Sequence, residues 1–327
     1  MREMDIYQVD AFTDVLFGGN PAGVMPDATG LSEDIMQKIA REMALSETAF
    51  IIDTRGRAPV ADGGVPVVDG GDRADFEVRF FTPWNEVDLC GHATIGSFWL
   101  LAELGVIRLG EGETRVFQKT KAGTLPVDIL GGCEGKPARV MMTQIVPTIV
   151  ARPTHEEVVE LEGILGAPKG CVTGFRALKG AVPQVVSTGL PDLIVPVVSR
   201  EALLSMRPNM AALIDFCNAR KIMSVHAFSL ETLDPAATVH CRDFSPAVGV
   251  PEESATGTAS GATGSYLVFN RLVEVREPVT KIVCEQGHIL KRPSTIHVEV
   301  ESRGGRVSGV RVGGSAVTAM RGKMQVP

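Results

Sequence analysis

The fold is decided by residues 81–100, which read Phe-Thr-Pro-Trp-Asn-Glu-Val-Asp-Leu-Cys-Gly-His-Ala-Thr-Ile-Gly-Ser-Phe-Trp-Leu. The pattern predicts a strand over 78–81, a short loop after Pro83, and a helix over about 92–104. Nearly every side chain of that helix is apolar or small, which is typical of a helix buried in protein, and the helix is too short to span a bilayer. Its N-terminus at Gly91 offers free N–H groups and the positive end of the helix dipole, so we expect it to bind an anion.

The same arrangement recurs about half the chain later. The triplet Phe244-Ser245-Pro246 repeats Phe81-Thr82-Pro83, and Gly257-Thr258-Ala259 repeats Gly91-His92-Ala93. Long-period self-similarity fixes architecture. We therefore predict two related halves, each built around a buried helix, with both helix N-termini facing one cleft; a chance match of two glycine-rich helix starts is the alternative.

Length and strand content set the fold class. A chain of 327 residues suggests two domains, and the glycine-rich segment near residue 131 suggests the joint. We predict a first lobe over 1–130 and a second over 131–327, with the option that the final strand, near 315–327, returns to the first lobe. Strands outnumber helices and few intervals suit βαβ crossovers, which favours an α+β fold of antiparallel sheets, each curled around one buried helix.

Composition excludes several classes of function. The net charge is −7, no basic run is present and aromatic residues make up only 5%, so nucleic acid is not expected as a partner. Neither a signal-peptide core nor an apolar run of membrane length occurs, and the six cysteines are scattered. We expect reduced thiols, a cytoplasmic location and no membrane contact. Since the sequence has no dinucleotide, Walker or metal-ligand motif, no cofactor or metal is expected.

Glu47 is the sharpest candidate for chemistry. It lies in the run Leu45-Ser46-Glu47-Thr48-Ala49-Phe50, between two hydroxyl residues at the start of an apolar strand. A carboxylate at such a point loses solvation, which favours its protonated form and suits it to general acid or base catalysis. The alternative is an edge-strand glutamate that faces water.

Cys90 and His92 stand at the first helix start. A helix N-terminus stabilises a thiolate, so Cys90 is either a proton-transferring thiol or a thiol packed in a tight turn. The remaining five cysteines are read as small buried hydrophobes. His92 either donates a hydrogen bond to a substrate carboxylate or caps its own helix.

A second set of residues is predicted to bind the substrate anion. Backbone and side-chain donors for it are expected at Asn20, Gly91, Gly257 and Thr258. Glu253, one of two adjacent glutamates before the second helix start, either supplies a second acid or base or belongs to a solvated turn.

Together these residues resemble the PhzF-like family of phenazine biosynthesis, whose fold is that of diaminopimelate epimerase. The resemblance runs in order through nearly the whole chain. The matching motifs are Val9-Asp10-Ala11-Phe12, Gly19-Asn20-Pro21-Ala22, Leu45-Ser46-Glu47-Thr48-Ala49-Phe50, Phe81-Thr82-Pro83, Cys90-Gly91-His92-Ala93-Thr94, Ser187-Thr188-Gly189-Leu190-Pro191, Phe244-Ser245-Pro246, Ala255-Thr256-Gly257-Thr258-Ala259, Glu285-Gln286-Gly287 and Arg311-Val312-Gly313-Gly314.

The resemblance implies two similar lobes, each an antiparallel barrel-like sheet around a central helix, with the active site between them. It also implies a homodimer that uses no cofactor or metal. By motif, Glu47 moves the proton and His92 lines the site. The family's second-lobe motif, Glu-Asp-Pro-Ala-Thr-Gly-Ser, has here a glutamate at 253 in place of aspartate and a threonine at 258 in place of serine. The longer Glu253 side chain puts a phenazine-type substrate in doubt more than the chemistry.

The sequence therefore predicts a cofactor-independent isomerase that moves a proton on a small anionic metabolite carrying a carboxylate. Glu47 removes and returns the proton, assisted by His92 and Glu253. One alternative is a one-base epimerase or racemase of an amino-acid-like substrate, using Glu47 or Cys90; a two-thiol racemase is disfavoured because Thr256 stands where the second cysteine would be. The other alternative is a ligand-binding homologue without turnover.

Overall fold

A computed structural model of the chain describes residues 1–55, 74–132 and 137–327. Within these residues the helices are Glu33–Met43 (α1), Gly91–Glu103 (α2), His155–Ile164 (α3), Phe175–Lys179 (α4), Arg200–Ser205 (α5), Met210–Arg220 (α6) and Gly257–Phe269 (α7). The strands are Arg2–Ala11 (β1), Asn20–Met25 (β2), Thr48–Asp53 (β3), Phe76–Phe81 (β4), Glu86–Val87 (β5), Glu113–Thr120 (β6), Gly123–Gly131 (β7), Pro137–Gln144 (β8), Thr148–Ala151 (β9), Gln184–Ser187 (β10), Pro191–Val197 (β11), Ser224–Ser229 (β12), Val239–Ser245 (β13), Val250–Glu253 (β14), Val279–Gln286 (β15), Ser294–Arg303 (β16), Arg306–Gly314 (β17) and Ala316–Val326 (β18).

The chain folds into two compact units. One unit comprises Met1–Thr143 and Gly313–Pro327, and the other comprises Gln144–Val312. The joint was predicted at residue 131, but β8 pairs with β7 and so belongs largely with the first unit. β18 pairs with β1 along its whole length, which places the last strand in the first unit.

In the first unit, strand pairing follows chain order around α2. β1 is antiparallel to β2, β2 is parallel to β3, and β3 is antiparallel to β4. The short β5 lies antiparallel to β4, while β6 lies parallel to it, and β7 and β8 follow as antiparallel neighbours. α2 is therefore the connection between two parallel strands, β4 and β6.

The second unit repeats this order element by element. β10 is antiparallel to β11, β11 is parallel to β12, and β12 is antiparallel to β13. The short β14 lies antiparallel to β13, β15 lies parallel to it, and β16 is antiparallel to β15. α7 occupies the place of α2, so the predicted duplication is confirmed.

The α+β class is confirmed, and four strand pairs within the sheets are parallel, which the sequence did not predict. The parallel pairs are β2–β3, β4–β6, β11–β12 and β13–β15. Each pair is joined through at least one helix, which is the connection that parallel strands require. The sequence pattern missed them because the strands are short and the intervals between them carry mixed helix and turn signals.

Both central helices are buried over almost their whole surface because small residues let the sheets approach closely. A Cβ atom on Gly96 of α2 would lie 3.4 Å from Val9 of β1, and a Cβ on Gly264 of α7 would lie 2.7 Å from Val298 of β16. Neither helix has a polar face, as the sequence predicted. The sheets therefore fix the positions of both helix starts.

Side-chain caps stabilise the starts of two helices. Ser32 caps α1, and Thr154 forms a capping box with Glu157 at α3. The cysteines other than Cys133 are buried and form no disulfide within the described residues, while Cys133 lies outside them.

Candidate active site

Glu47 lies directly before β3, at the point where the chain enters the core of the first unit. Its carbonyl accepts a hydrogen bond from the N–H of Gly23 at 3.0 Å, which ties this position to β2. The side chain keeps 19% of its exposure, yet its Oε2 atom is buried and has no hydrogen-bond partner among the described residues. A carboxylate oxygen in that state is available to bind a ligand or a proton.

His92 is the centre of the polar cluster around Glu47. Its Nε2 atom lies 3.3 Å from Ser46 Oγ and 3.3 Å from Glu47 Oε2, and its Nδ1 atom lies 3.4 Å from Cys90 Sγ. The Ser46 contact has hydrogen-bond geometry, whereas the Glu47 contact lacks it and is an electrostatic approach. The structure thus brings together three of the predicted site residues, Glu47, Cys90 and His92.

Burial determines the charge of His92. Its side chain is 5% exposed, and loss of solvation lowers the pKa of the imidazole, while the neighbouring Glu47 carboxylate opposes that change. Desolvation is the larger effect, so the ring is neutral at neutral pH. A neutral imidazole has one N–H donor and one lone pair, so it places no positive charge beside Glu47.

The N-terminus of α2 carries donors for an anion. Cys90 is the N-cap residue in extended conformation, and its side chain makes no capping hydrogen bond. The first intrahelical bond runs from the N–H of Thr94 to the carbonyl of Cys90 at 3.0 Å. The N–H groups of residues 91–93 consequently have no acceptor within the helix, and Gly91 is partly exposed.

In the second unit, Glu253 is held beside the start of α7. Thr256 Oγ1 donates to Glu253 Oε2 at 2.6 Å, and Gln286 Nε2 donates to the Glu253 carbonyl at 2.9 Å and to Thr256 Oγ1 at 3.2 Å. Glu253 is therefore an ordered residue of this helix start and not part of a solvated turn. Its neighbour Glu252 is bound by Arg242 at 2.8 Å.

The other predicted binding residues also lie at well-defined places. Asn20 is buried as the first residue of β2. Gly257 is the first residue of α7, and its carbonyl accepts from Gln144 Nε2 at 3.2 Å. Thr258 is partly exposed, and its carbonyl accepts from Thr188 Oγ1 at 3.3 Å. Asn20 belongs to the first unit, whereas Gly257 and Thr258 belong to the second.

Strand register shows which residues correspond in the two units. In the first unit, the phenylalanine of the repeated triplet pairs with Thr48, the residue after Glu47. In the second, it pairs with Val225, the residue after Ser224. Ser224 thus occupies the position of Glu47, just as Thr256 occupies that of Cys90. The second unit carries neither the carboxylate nor the thiol of the first.

A buried polar network in the second unit was not predicted from the sequence. Ser224 Oγ donates to Asp192 Oδ1 at 2.8 Å, His226 Nδ1 lies 3.1 Å from Asp243 Oδ1, and Ser245 Oγ donates to Asp243 Oδ2 at 2.7 Å. Burial raises the pKa of Asp192 well above its usual range, and the charges of Asp243 and Glu253 act in the same direction. Polar residues spaced by two in otherwise apolar strands were the available signal.

Comparison with known proteins gives the family. The model of the family described as phenazine biosynthesis-like protein matches residues 9–322. The chain belongs to this family. An uncharacterized isomerase of Clostridium acetobutylicum is 33% identical to it, with 99% of both chains covered.

Two further relatives extend the likeness. The trans-2,3-dihydro-3-hydroxyanthranilate isomerase of Pseudomonas aeruginosa is 32% identical, covering 96% of this chain and 97% of its own. The crystal structure of a Bacillus anthracis phenazine biosynthesis protein of the PhzF family matches with a TM-score of 0.82 and 28% identity, covering 100% of both chains. Since these relatives are named isomerases, the chain is assigned to the isomerase class of enzymes. Within the described residues, no helix has both the length and the apolar character needed to cross a membrane.

Proposed function

We propose that this isomerase moves a proton on a small carboxylate-bearing metabolite, with Glu47 as the group that removes and returns it. One observation carries the proposal: Oε2 of Glu47 is buried without a hydrogen-bond partner among the described residues, 3.3 Å from a neutral imidazole. A general base needs an available lone pair and a fixed orientation. The lone pair is available on Oε2 of Glu47, which has no hydrogen-bond partner among the described residues. The backbone of Glu47 is held by the hydrogen bond from Gly23 and by the start of β3.

The start of α2 supports the carboxylate part of the proposal. The left-over N–H groups of residues 91–93 and the helix dipole stabilise negative charge at that point. A substrate carboxylate bound there would lie beside Cys90, His92 and Glu47. As the proton leaves the adjacent carbon, the same donors stabilise the charge that develops.

A mechanism with a single base is consistent with the different residues that the two units carry at corresponding positions. Because Ser224 and Thr256 stand at the positions of Glu47 and Cys90, the second unit offers no second carboxylate–thiol pair. The same group would then take the proton up and deliver it elsewhere on the substrate. Cofactor-free turnover, the homodimer and the contributions of Glu253, Gly257 and Thr258 remain predictions.

The proposal is tested with a panel of small carboxylic acids. The first compound is trans-2,3-dihydro-3-hydroxyanthranilate, because the Pseudomonas relative is named for it. Thermal unfolding finds binders, since a ligand at about 100 times its Kd stabilises the fold by about 2.7 kcal/mol. Each binder is then incubated with enzyme in deuterated water. The proposal requires deuterium at one carbon of at least one binder, and the absence of deuterium from every binder would contradict it.

The second candidate function is a one-base epimerase that uses Cys90. It is favoured by the position of the thiol at a helix N-terminus, 3.4 Å from His92 Nδ1. Alkylation separates the two candidates. Loss of turnover that substrate prevents, together with activity retained in Glu47→Gln, would assign the base to Cys90.

A further inference from the structure

Glu47, Cys90 and His92 place three different donor atoms around one point. A carboxylate oxygen, a thiol sulfur and an imidazole nitrogen, one from each residue, all lie within 4.8 Å of one another. Zinc uses these three ligand types in protein sites. Magnesium prefers an octahedral set of oxygens, which the cluster does not offer.

The spacing of the donors suits a tetrahedral ion. With Zn–S near 2.3 Å and Zn–N and Zn–O near 2.0–2.1 Å, tetrahedral angles separate the ligand atoms by about 3.3–3.6 Å. The Nε2 atom of His92 lies 3.3 Å from Glu47 Oε2 and 4.0 Å from Cys90 Sγ. The sulfur now lies nearer to His92 Nδ1, at 3.4 Å, so a change in the Cys90 side-chain torsion is needed to bring it to an ion bound at Nε2.

The chemical state of the donors also suits a metal. Glu47 Oε2 has no hydrogen-bond partner among the described residues, so no bond there has to be broken. His92 can bind a metal through a ring nitrogen, and its Nε2 atom is the one that approaches Glu47. Cys90 is the N-cap residue of α2 and makes no capping hydrogen bond through its thiol.

We propose that Glu47, Cys90 and His92 bind Zn²⁺ reversibly and that the bound ion inhibits the isomerase. On binding, the Cys90 thiol releases its proton to solvent and the thiolate bonds to the metal. The ion then occupies the Glu47 oxygen that must accept the substrate's proton. The inhibition rests on the proposed function, whereas the binding does not.

Calorimetric titration of chelator-treated enzyme with zinc chloride tests the site without any substrate. One Zn²⁺ per chain is expected for the wild type and for Cys171→Ala, which removes a buried thiol of the second unit that is not one of the three ligands. Removing a residue that only hydrogen-bonds to a metal ligand already lowers metal affinity about 10–100-fold. Removing a ligand itself, in Cys90→Ala or His92→Ala, should therefore weaken zinc binding on the order of 100-fold or more. Magnesium chloride should give no heat of binding.

Cobalt provides a readout that does not depend on the folding of a variant. Wild-type enzyme titrated with Co²⁺ should develop a thiolate-to-metal charge-transfer band, which added zinc removes. Absence of the band, or equal zinc affinity in the wild type and Cys90→Ala, would overturn the site.

The inhibitory role is read from solvent-deuterium incorporation with and without zinc. We expect incorporation to stop at one equivalent of zinc and to return when a chelator is added. Full incorporation in zinc-saturated enzyme would overturn the inhibition. Failure of the metal-free enzyme to exchange any proton would instead count against the proposed function, because zinc binding is measured separately.

Discussion

The Nε2 atom of His92 lies 3.3 Å from the Oε2 atom of Glu47, and the two residues come from different elements of one unit. Glu47 precedes β3, and His92 lies in the first turn of α2. Since both elements are anchored in the core, the distance is fixed by the fold and not by flexible side chains alone. The neutral charge of His92 follows from the same burial.

The pH dependence of stability should report the state of His92. Burial lowers the pKa of His92 below the value of 6.5 that it has in an unfolded chain, so the unfolded state binds more protons as pH falls through that value. The His92 contribution to stability is therefore present above pH 6.5 and is lost on acidification. Urea unfolding at pH 7.5 and 5.5 should show a smaller acid loss in His92→Gln than in the wild type. The exposed His155→Gln is the control, and an unchanged acid loss in His92→Gln would refute the expectation.

Asp192 should have the opposite pH signature. Burial raises the pKa of Asp192, so the folded state keeps a proton that the unfolded chain gives up above about pH 4. Stability from this group is full at low pH and declines as pH rises. Asp192→Asn keeps an acceptor for Ser224 and carries no such cost, so its stability relative to the wild type should increase from pH 5 to pH 8.

The exposed Asp215→Asn on α6 is the matched control for Asp192, and its stability relative to the wild type should stay constant over that range. Urea unfolding at the two pH values measures both variants. If the stability of the wild type increased relative to that of Asp192→Asn with rising pH, Asp192 would be ionised in the folded protein, contrary to this prediction.

Gly287 should be intolerant of a side chain. Its φ is +80°, and a Cβ would lie 2.2 Å from the Arg292 carbonyl oxygen and 2.5 Å from that of Ser254. Backbone strain and overpacking together should make Gly287→Ala less stable by about 3 kcal/mol. Gly304, with φ +59° and nothing near its Cβ position, should lose only about 1 kcal/mol on the same change. Equal losses in the two variants, measured by urea unfolding, would disprove the steric argument.

Much of this fold could be predicted because the signals were local. The repeat of aromatic, hydroxyl and proline residues located both central helices. The parallel pairs could not be read in the same way. Which strands become neighbours depends on how each helix packs across a sheet, and residue pattern does not encode that packing.

In the candidate site, too, the residues with a local signal could be predicted, whereas the contacts between distant residues could not. Glu47, Cys90 and His92 could be named because each lies in a short run with a chemical reason to be there. In the sequence Ser46 is only a hydroxyl residue beside Glu47, and its contact with His92 spans 46 residues of sequence. The Asp192 network likewise forms only when β11, β12 and β13 pair.

The most direct test of the account is solvent-deuterium incorporation by Glu47→Gln. The substitution keeps the size of the side chain and removes its ability to accept a proton, and the exposed Glu42→Gln on α1 is the matched control. Because general acid–base catalysis contributes about 10²–10⁴-fold to a rate, we expect Glu47→Gln to lose at least about 100-fold in the rate of incorporation while Glu42→Gln matches the wild type. Incorporation at the wild-type rate in a folded Glu47→Gln would contradict the assignment of the proton transfer to Glu47.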